Sequence, residues 1–332
     1  MTMPRPEGPA PQEGSDSAGS GDIFSLRILA TSDMHMQLLP FDYLTLERTP
    51  AGGLARVGSL IRRRQAGHPA CLLLDNGDFL QGNPMGDLAA EGAGLRAGQH
   101  PAIAAMNALG YDAAALGNHD FNFGLAFLRR AVAGAAFPVL AANLQTRQGP
   151  PFAAWTVLRR VLRAENGRQR ATAIGIAGFL PPQTAEWDQD LTQQITCEDI
   201  TESARRILPL MRAAGAEIVI ALAHSGIGPP EPRDRMEHAA TALAALPGID
   251  VVIAGHTHQV FPHPAFPSGP GVDAAAGRLA GKPAVMPGFG GSHLGRIDLA
   301  LREAAGGRLV IAAAHAECEP VDEALPDLHH AP

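Results

Sequence analysis

Short apolar runs recur along the chain and end in side chains that bind metals. The segments "SLRILATSD" (25–33), "CLLLDNGD" (71–78), "YDAAALGNHD" (111–120), "AEIVIALAHSG" (216–226) and "GIDVVIAGHTH" (248–258) each carry a few consecutive apolar residues. Runs of that length without alternation read as strands buried on both faces, the kind found in largely parallel sheets. Between them apolar residues return at helical spacing. Residues 53–66 place Leu54, Val57, Leu60 and Ile61 on one face and most of their arginines on the other. Residues 100–110 open on Pro101 and close on Gly110, as helices tend to. Further helices are expected over 125–135, 199–214 and 233–246, and further strands over 155–163 and 170–179. The closing segments 282–288, 294–302 and 308–316 read as strands of a second sheet joined by turns. This alternation predicts an α/β layered domain.

Composition narrows the function classes. The 332 residues carry a formal net charge of -7 with 18% charged side chains, and no basic stripe of the kind a nucleic-acid polymer requires. Any anion must therefore be drawn by local charge, and metal ions are the obvious source. The three cysteines, Cys71, Cys197 and Cys318, lie far apart, which argues against a disulfide framework and a thiolate metal site. No apolar run is long enough to span a bilayer, so no membrane partner is expected. Residues 1–22, rich in Pro, Gly, Ser and acid, lack the apolar core of a secretory signal and are expected to be disordered. As it stands the sequence reads as cytoplasmic, or periplasmic if a signal has been removed. Residues 23–320 are expected to form the catalytic domain, with 321–332 a tail or linker stub.

The chemistry lies at the strand ends. Asp33, His35, Asp78, Asn118, His224, His256 and His258 all offer oxygen or nitrogen to a metal, and they come from five separate segments. Singly, each has an ordinary explanation, such as a turn carboxylate or a loop histidine. Their joint recurrence does not. In open α/β sheets ligands sit outside the carboxyl ends of the strands, so these side chains are expected to build one site. Two divalent cations bring +4 and the carboxylates Asp33 and Asp78 return -2, which leaves a cationic cluster suited to a phosphoester. The mixed nitrogen and oxygen donors permit manganese, zinc, cobalt or iron.

These blocks, D-x-H, GD, GNH followed by an acid, H and GHxH in this order, resemble the calcineurin-like metallophosphoesterase superfamily. Within it, "DNGDFLQGNPMGD", "HPAIAAMNALGY", "LGNHDFNFGL", "GHTHQVFP" and "GKPAVMPGFGGSHLG" resemble the bacterial 2',3'-cyclic-nucleotide 2'-phosphodiesterase/3'-nucleotidase branch, over roughly residues 25–315. The resemblance implies a four-layer αββα sandwich of two mixed sheets with a dimetal site at the sheet edge. It implies one metal held by Asp33, His35, Asp78 and His258, and another by Asp78, Asn118, His224 and His256, with Asp78 bridging. It further implies attack on phosphorus by a metal-bridging hydroxide. His119 would act as transition-state stabiliser or leaving-group acid. The substrates would be small nucleotides, namely 2',3'-cyclic nucleotides and 3'-nucleotides.

Two departures bear on this expectation. In 5'-nucleotidases of the superfamily the third block ends in an acid that orients the histidine, and here that position is Asn122. Asparagine resembles the cyclic-phosphodiesterase branch and disfavours a 5'-nucleotidase or a broad phosphomonoesterase, with Asp120 and Asn122 both candidates to orient His119. The resembled proteins also carry a C-terminal domain whose aromatics sandwich the base. This chain has 5% aromatic residues and two tryptophans, so weak base selectivity is expected. A non-catalytic metal-binding module would be marked by loss of His119 or of a ligand, and all are retained.

Overall fold

The computed structural model of the chain describes residues 22–68, 70–92 and 99–328. Of the opening segment 1–22 expected to be disordered, residues 1–21 lie outside the described residues, as do 329–332 of the tail, and Asp22 is described, paired with Asn166 and Arg168.

The frame consists of β1 (Ile23–Thr31), β2 (Cys71–Asp75), β3 (Ala113–Ala115), β4 (Val139–Leu140), β5 (Trp155–Ala164), β6 (Gln169–Phe179), β7 (Ile218–Ala223), β8 (Val251–Ala254), β9 (Lys282–Pro287), β10 (His293–Glu303) and β11 (Leu309–Pro320). Strands β1 to β4 run parallel and adjacent, and β10 and β11 extend them antiparallel from the other edge of β1. A second leaf runs β5, β6, β7, β8, β9, antiparallel at its first pair and parallel thereafter.

The expected two sheets are thus present as leaves of one 14-stranded hydrogen-bonded network, completed by three two-residue strands. The reason is length. β2 covers only Arg27 to Thr31 of β1, and the exposed edge at Phe24 and Ser25 pairs with Ala164 and Arg163 of β5. An unpaired buried edge would leave backbone groups unsatisfied.

Alternate residues of each strand feed different layers. Ile28, Leu72, Leu74, Ile218, Ile220, Leu222, Val251 and Ile253 point between the leaves and form one core. Leu29, Leu73 and Ala114 face the other way, against α1 (Leu54–Gln65) and, beyond α2 (Pro84–Ala90), against α3 (Pro101–Leu109) and α4 (Gly124–Val132). Val219, Ala221 and Val252 face α5 (Ile200–Ala213) and α6 (Ala240–Ala244). Helix, leaf, leaf, helix is the four-layer αββα order. Among the described residues no helix is long and apolar enough to cross a membrane.

Several helix boundaries follow local chemistry. Asp199 caps α5 by accepting from Thr201 N and Glu202 N, and Gly110 ends α3 at φ 78. Two expectations need correction. The helix expected over 233–246 is only Ala240–Ala244, because the chain before it is drawn into a loop by Arg235 N bonding Asp199 Oδ2 (2.9 Å) and by Glu237 reaching His256 (2.9 Å). The closing strands do not share one sheet. β9 joins the second leaf beside β8, whereas β10 and β11 join the first beside β1. Residues 321–328 lie against α1, where Asp327 meets Arg48 and Arg56 and Ser59 donates to Pro326 O.

This layering predicts where truncation hurts. Leu72→Ala, a void between the leaves, should lower unfolding free energy by about 2–5 kcal/mol. Val161→Ala, half exposed on β5, should change it by about 0.5 kcal/mol or less. Urea midpoints of the two variants check this, and equal losses would contradict the inter-leaf core.

Candidate metal centre

β1, β2, β3, β7 and β8 all run in one sense, since β1 is antiparallel to β5 and β5 antiparallel to β6. Their carboxyl ends therefore open onto one region. The chain then turns sharply: Asp33, His35, Asp78, His256 and His258 all adopt positive φ, between 46 and 71. Such conformations cost of order 1–3 kcal/mol each and persist only where the surroundings impose them. Here Asp33 N donates to Gly77 O (2.9 Å), His35 N to Asp78 O (2.8 Å) and Gly290 N to Asp33 O (2.8 Å). The turn also brings Asp33 and His35, two apart in sequence, to one side.

Two glycines make the approach possible. A Cβ on Gly117 would overlap Asp78 Oδ1 and lie 2.6 Å from His224 Cε1, and one on Gly255 would lie 2.7 Å from Asn76 Nδ2. Hence the glycines of the "GNHD" and "GHTH" blocks.

The structure brings all seven expected donors together. His258 Nε2 lies 2.9 Å from His35 Nε2 and 3.5 Å from Asp33 Oδ1. His224 Nε2 lies 3.0 Å from Asp78 Oδ2 and 3.8 Å from Asp33 Oδ1, and Asp78 Oδ2 is 4.0 Å from His35 Nε2. His256 Nδ1 meets Asn118 Oδ1 at 2.9 Å. Three of the four rings are aimed by their other nitrogen: His35 Nδ1–H donates to Gln81 O (2.8 Å), His224 Nδ1–H to Asn76 O (2.8 Å) and His256 Nε2–H to Glu237 Oε1 (2.9 Å). Such outer partners fix which nitrogen is offered to a metal. Two clusters within ligating distance result, Asp33 with His35 and His258, and Asp33 with Asp78 and His224.

Divalent ions fit this donor set. Asp78 Oδ2 and His224 Nε2 are buried and pair only with each other, 3.0 Å apart, among the described residues. A buried carboxylate and imidazole paired only with each other can share a proton or take a cation in its place.

Electrostatics point the same way. Burial disfavours the charged form of His224, but Asp78 and Asp33 outweigh it and push its pKa up to about 10. Burial would raise Asp78, yet His224, His35 and His119 hold it well below the usual carboxylate range. His256 and His258 are lowered, chiefly by burial. Without metal, then, the site keeps a proton on His224 at neutral pH, and an ion must displace it.

His119, Asp120 and Asn122 occupy different positions. His119 donates its backbone N–H to Asp78 Oδ1 (2.7 Å), its ring stands 5.3 Å from that of His35, and its Nδ1 is buried with no partner among the described residues. Asp120 is fully buried, and its two oxygens accept from the backbone of Asp78, Phe79, Leu80 and Gly117 at 2.9–3.0 Å. Asn122 is exposed, and its backbone N–H reaches His119 O at 3.2 Å.

Sequence reasoning missed Glu237, which lies in a segment read as helix, and Asn76 and Gln81, which act through backbone carbonyls that carry no sequence signal. It also missed four aromatics around the metals, Phe41, Tyr43, Trp187 and Phe289. Trp187 stacks on His256 (5.5 Å, 15°) and Phe289 on His258 (4.8 Å, 17°).

The proton held by His224 predicts that metal affinity climbs with pH. From the ordinary histidine range up to about 10, each displaced proton should give about tenfold tighter binding per pH unit. Titration of the metal-free chain with manganese or zinc by calorimetry in two buffers measures both affinity and proton release. A pH-independent affinity without proton release would contradict it.

The calcineurin-like phosphoesterase family matches residues 26–260. The chain is 40% identical over 309 residues to a 2',3'-cyclic-nucleotide 2'-phosphodiesterase/3'-nucleotidase of Yersinia enterocolitica, covering 92% of this chain and 47% of that protein. It is 40% identical over 290 residues to the trifunctional nucleotide phosphoesterase protein YfkN of Bacillus subtilis, covering 85% of this chain and 20% of that protein. The chain thus spans about half or less of the length of these curated relatives. A crystal structure of calcineurin-like phosphoesterase YfkN from Bacillus subtilis superposes with a TM-score of 0.85 at 39% identity, covering 90% of this chain and 91% of that one. With the αββα layers, the five ligand-bearing strand ends and these similarities together, the chain belongs to the calcineurin-like phosphoesterase family.

Proposed function

We propose that residues 23–320 form a dimetal phosphoester hydrolase that opens 2',3'-cyclic nucleotides at the 2' bond and then removes the 3' phosphate from the product. One observation carries it: seven nitrogen and oxygen donors converge from five strand ends, with Asp78 Oδ2 and His224 Nε2 buried 3.0 Å apart and paired only with each other. The names of the Yersinia enterocolitica and Bacillus subtilis relatives supply the substrate class.

Asp33, His35, Asp78 and His258 would hold one ion, and Asp78, Asn118, His224 and His256 the other. Both Asp33 and Asp78 lie within 4.0 Å of a histidine from each set. Asp78 would be the better residue to serve both ions, because the oxygens of Asp33 already share the His256 backbone N–H at 3.2 Å and Oδ2 also accepts from Ser32 Oγ, while Asp78 Oδ2 meets only His224 and His35. When bound, the ions supply positive charge that offsets the phosphoryl oxygens and acidifies water. His119 stands beside the ring of His35 and is set by its own backbone bond to Asp78, so its imidazole is placed to protonate the leaving oxygen. In the first step water oxygen joins phosphorus and gives up a proton, the bond to the 2' oxygen breaks, and that oxygen takes a proton from His119, which the proton given up by water restores. In the second the bond to the 3' oxygen breaks in the same way and releases phosphate. Asp120, with both oxygens given to backbone N–H groups, is a positioning residue rather than a proton carrier.

Chelation should abolish hydrolysis of 2',3'-cyclic AMP, and manganese or cobalt should restore it. Asp78→Asn should hurt most among ligand variants, because a bridging carboxylate serves both ions; undiminished turnover there would sink the two-ion arrangement. Parallel assays with 5'-AMP decide the branch, and a clear preference for it would move the assignment to 5'-nucleotidase.

His119→Ala should retain near-normal metal content while kcat falls by about 10²–10⁴, the usual range for a positioned acid or base. Elemental analysis beside steady-state kinetics checks this. Loss of metal in the variant would reassign His119 as a structural or ligating residue.

A further inference from the structure

Most of the chain's aromatics pack in or against its core, but four, Phe41, Tyr43, Trp187 and Phe289, line the cavities at the candidate metal centre. Among the described residues only two aromatic side chains, Trp187 and Phe289, are among the exposed large hydrophobics, at 49% and 52%, and both stack on metal-site histidines. Phe289 is parallel to the ring of His258, with centroids 4.8 Å apart and planes at 17°. One face is thus used, and the other faces open space in a cavity of about 810 Å³ that His35, His119 and His258 also line. Phe41 and Tyr43, in edge contact at 5.3 Å, line the same cavity, together with the amides Gln81 and Asn83.

This surface is held rigidly. Gly290 N donates to Asp33 O (2.8 Å) and Gly53 N to Gly290 O (2.9 Å), so the loop carrying Phe289 is tied directly to the turn that carries Asp33. The hairpin of Phe41 is tied by Gln37 Nε2 donating to Phe41 O (2.6 Å) and to Leu39 O (2.8 Å). A platform fixed in advance relative to the reacting phosphorus loses little ordering entropy on binding.

His119, which the proposed function places beside the leaving oxygen, lines the way out of the site. Two cavities meet there. The one beside Trp187 has about 340 Å³ and is lined by Asn118, Asn122 and Asp188 as well; the one beside Phe289 is more than twice as large. A flat heterocycle with polar edges suits the larger cavity, with aromatic faces for stacking and the side-chain amide of Gln81 for its edge, since the Asn83 amide is held by His35 O, Gln37 Oε1 and Met85 N. We infer that this cavity is a nucleobase subsite inside the metal-binding domain, with the free face of Phe289 as the stacking platform. The inference rests on the nucleotide reading above, and because stacking on one ring tolerates every base it agrees with the weak base selectivity expected from the aromatic content.

The test is the ratio of kcat/KM for 2',3'-cyclic AMP to that for base-free ribose 2',3'-cyclic phosphate. Phe289→Leu should lower this ratio by about 5- to 150-fold, the range that stacking of one base on one ring accounts for. Phe289→Tyr, which keeps the aromatic face, should restore it, and metal content is measured in each variant because Phe289 packs on His258. An unmoved ratio in Phe289→Leu, a loss that Phe289→Tyr fails to rescue, or a fall of the ratio in Trp187→Leu instead would overturn the assignment. Calorimetric binding of adenosine, which has no phosphate, to the metal-loaded chain separates the two proposals. Binding that depends on Phe289, in a chain that leaves cyclic phosphates intact, would refute the reaction and keep the subsite. Hydrolysis of cyclic AMP with no adenosine binding would refute the subsite and keep the reaction.

Discussion

A single buried carboxylate holds the ligand-bearing loops in register. Asp120 accepts four backbone N–H groups, three from the turn at Asp78, Phe79 and Leu80 and one from Gly117. It thereby joins the end of β2 to the end of β3, and with them Asp78, Asn118 and His119. Burial, reinforced by the charge of Asp78, pushes its pKa up to about 6, so four donors must offset the cost of keeping it ionised. Asp78 N is one of those donors, while Asp78 Oδ1 takes the N–H of His119. Ligand geometry and the placement of the proposed acid therefore depend on one hydrogen-bond network.

Around it the molecule accumulates features that are unfavourable in isolation. Five ligand residues sit at positive φ, and two carboxylates lie buried within reach of each other's histidines. Backbone bonds between the β1 and β2 turns impose the conformations, and the layered core beneath them, packed from both faces of each leaf, resists relaxation. A site so arranged exchanges folding stability for a set of donors aimed at ions before they arrive. The same rigidity reaches outward: the loop that ends in Phe289 is anchored on the Asp33 carbonyl, so metal geometry and the aromatic surface are set by common bonds.

Hydrogen bonding across the two leaves has a further consequence. Because β1 pairs on one edge with β10 and on the other with both β2 and β5, it is the strand through which the leaves share one network. Its carboxyl end delivers Asp33 and His35. Donors from the loops of both leaves meet there, with Asp33 Oδ1 3.5 Å from His258 Nε2 and 3.8 Å from His224 Nε2.

Much of this was legible in the residues themselves. Unbroken apolar runs such as "CLLLD" and "IVIALA" announce strands buried on both faces, and the glycine-bounded blocks that follow announce ligands, because close approach and sharp turns demand particular residue types. Helices with a strong apolar face, such as Leu54–Gln65, were equally readable. What the residues alone could not decide was which distant segments meet. Nothing local tells that β9 pairs with β8 while β10 pairs with β1, since strand pairing is chosen by the packing of the whole. Nor could they show that Glu237, in a segment of helical spacing, is pulled out to hold His256, or that Asp120 would give both oxygens to backbone groups. The placement of four aromatics at the site was also invisible, because a composition of 5% says nothing of which ones pack in the core and which line a cavity. Local chemistry determined which residues could ligate; tertiary packing decided which nitrogen of each ring faces inward and which aromatic faces remain free, because those depend on contacts between segments far apart in the chain.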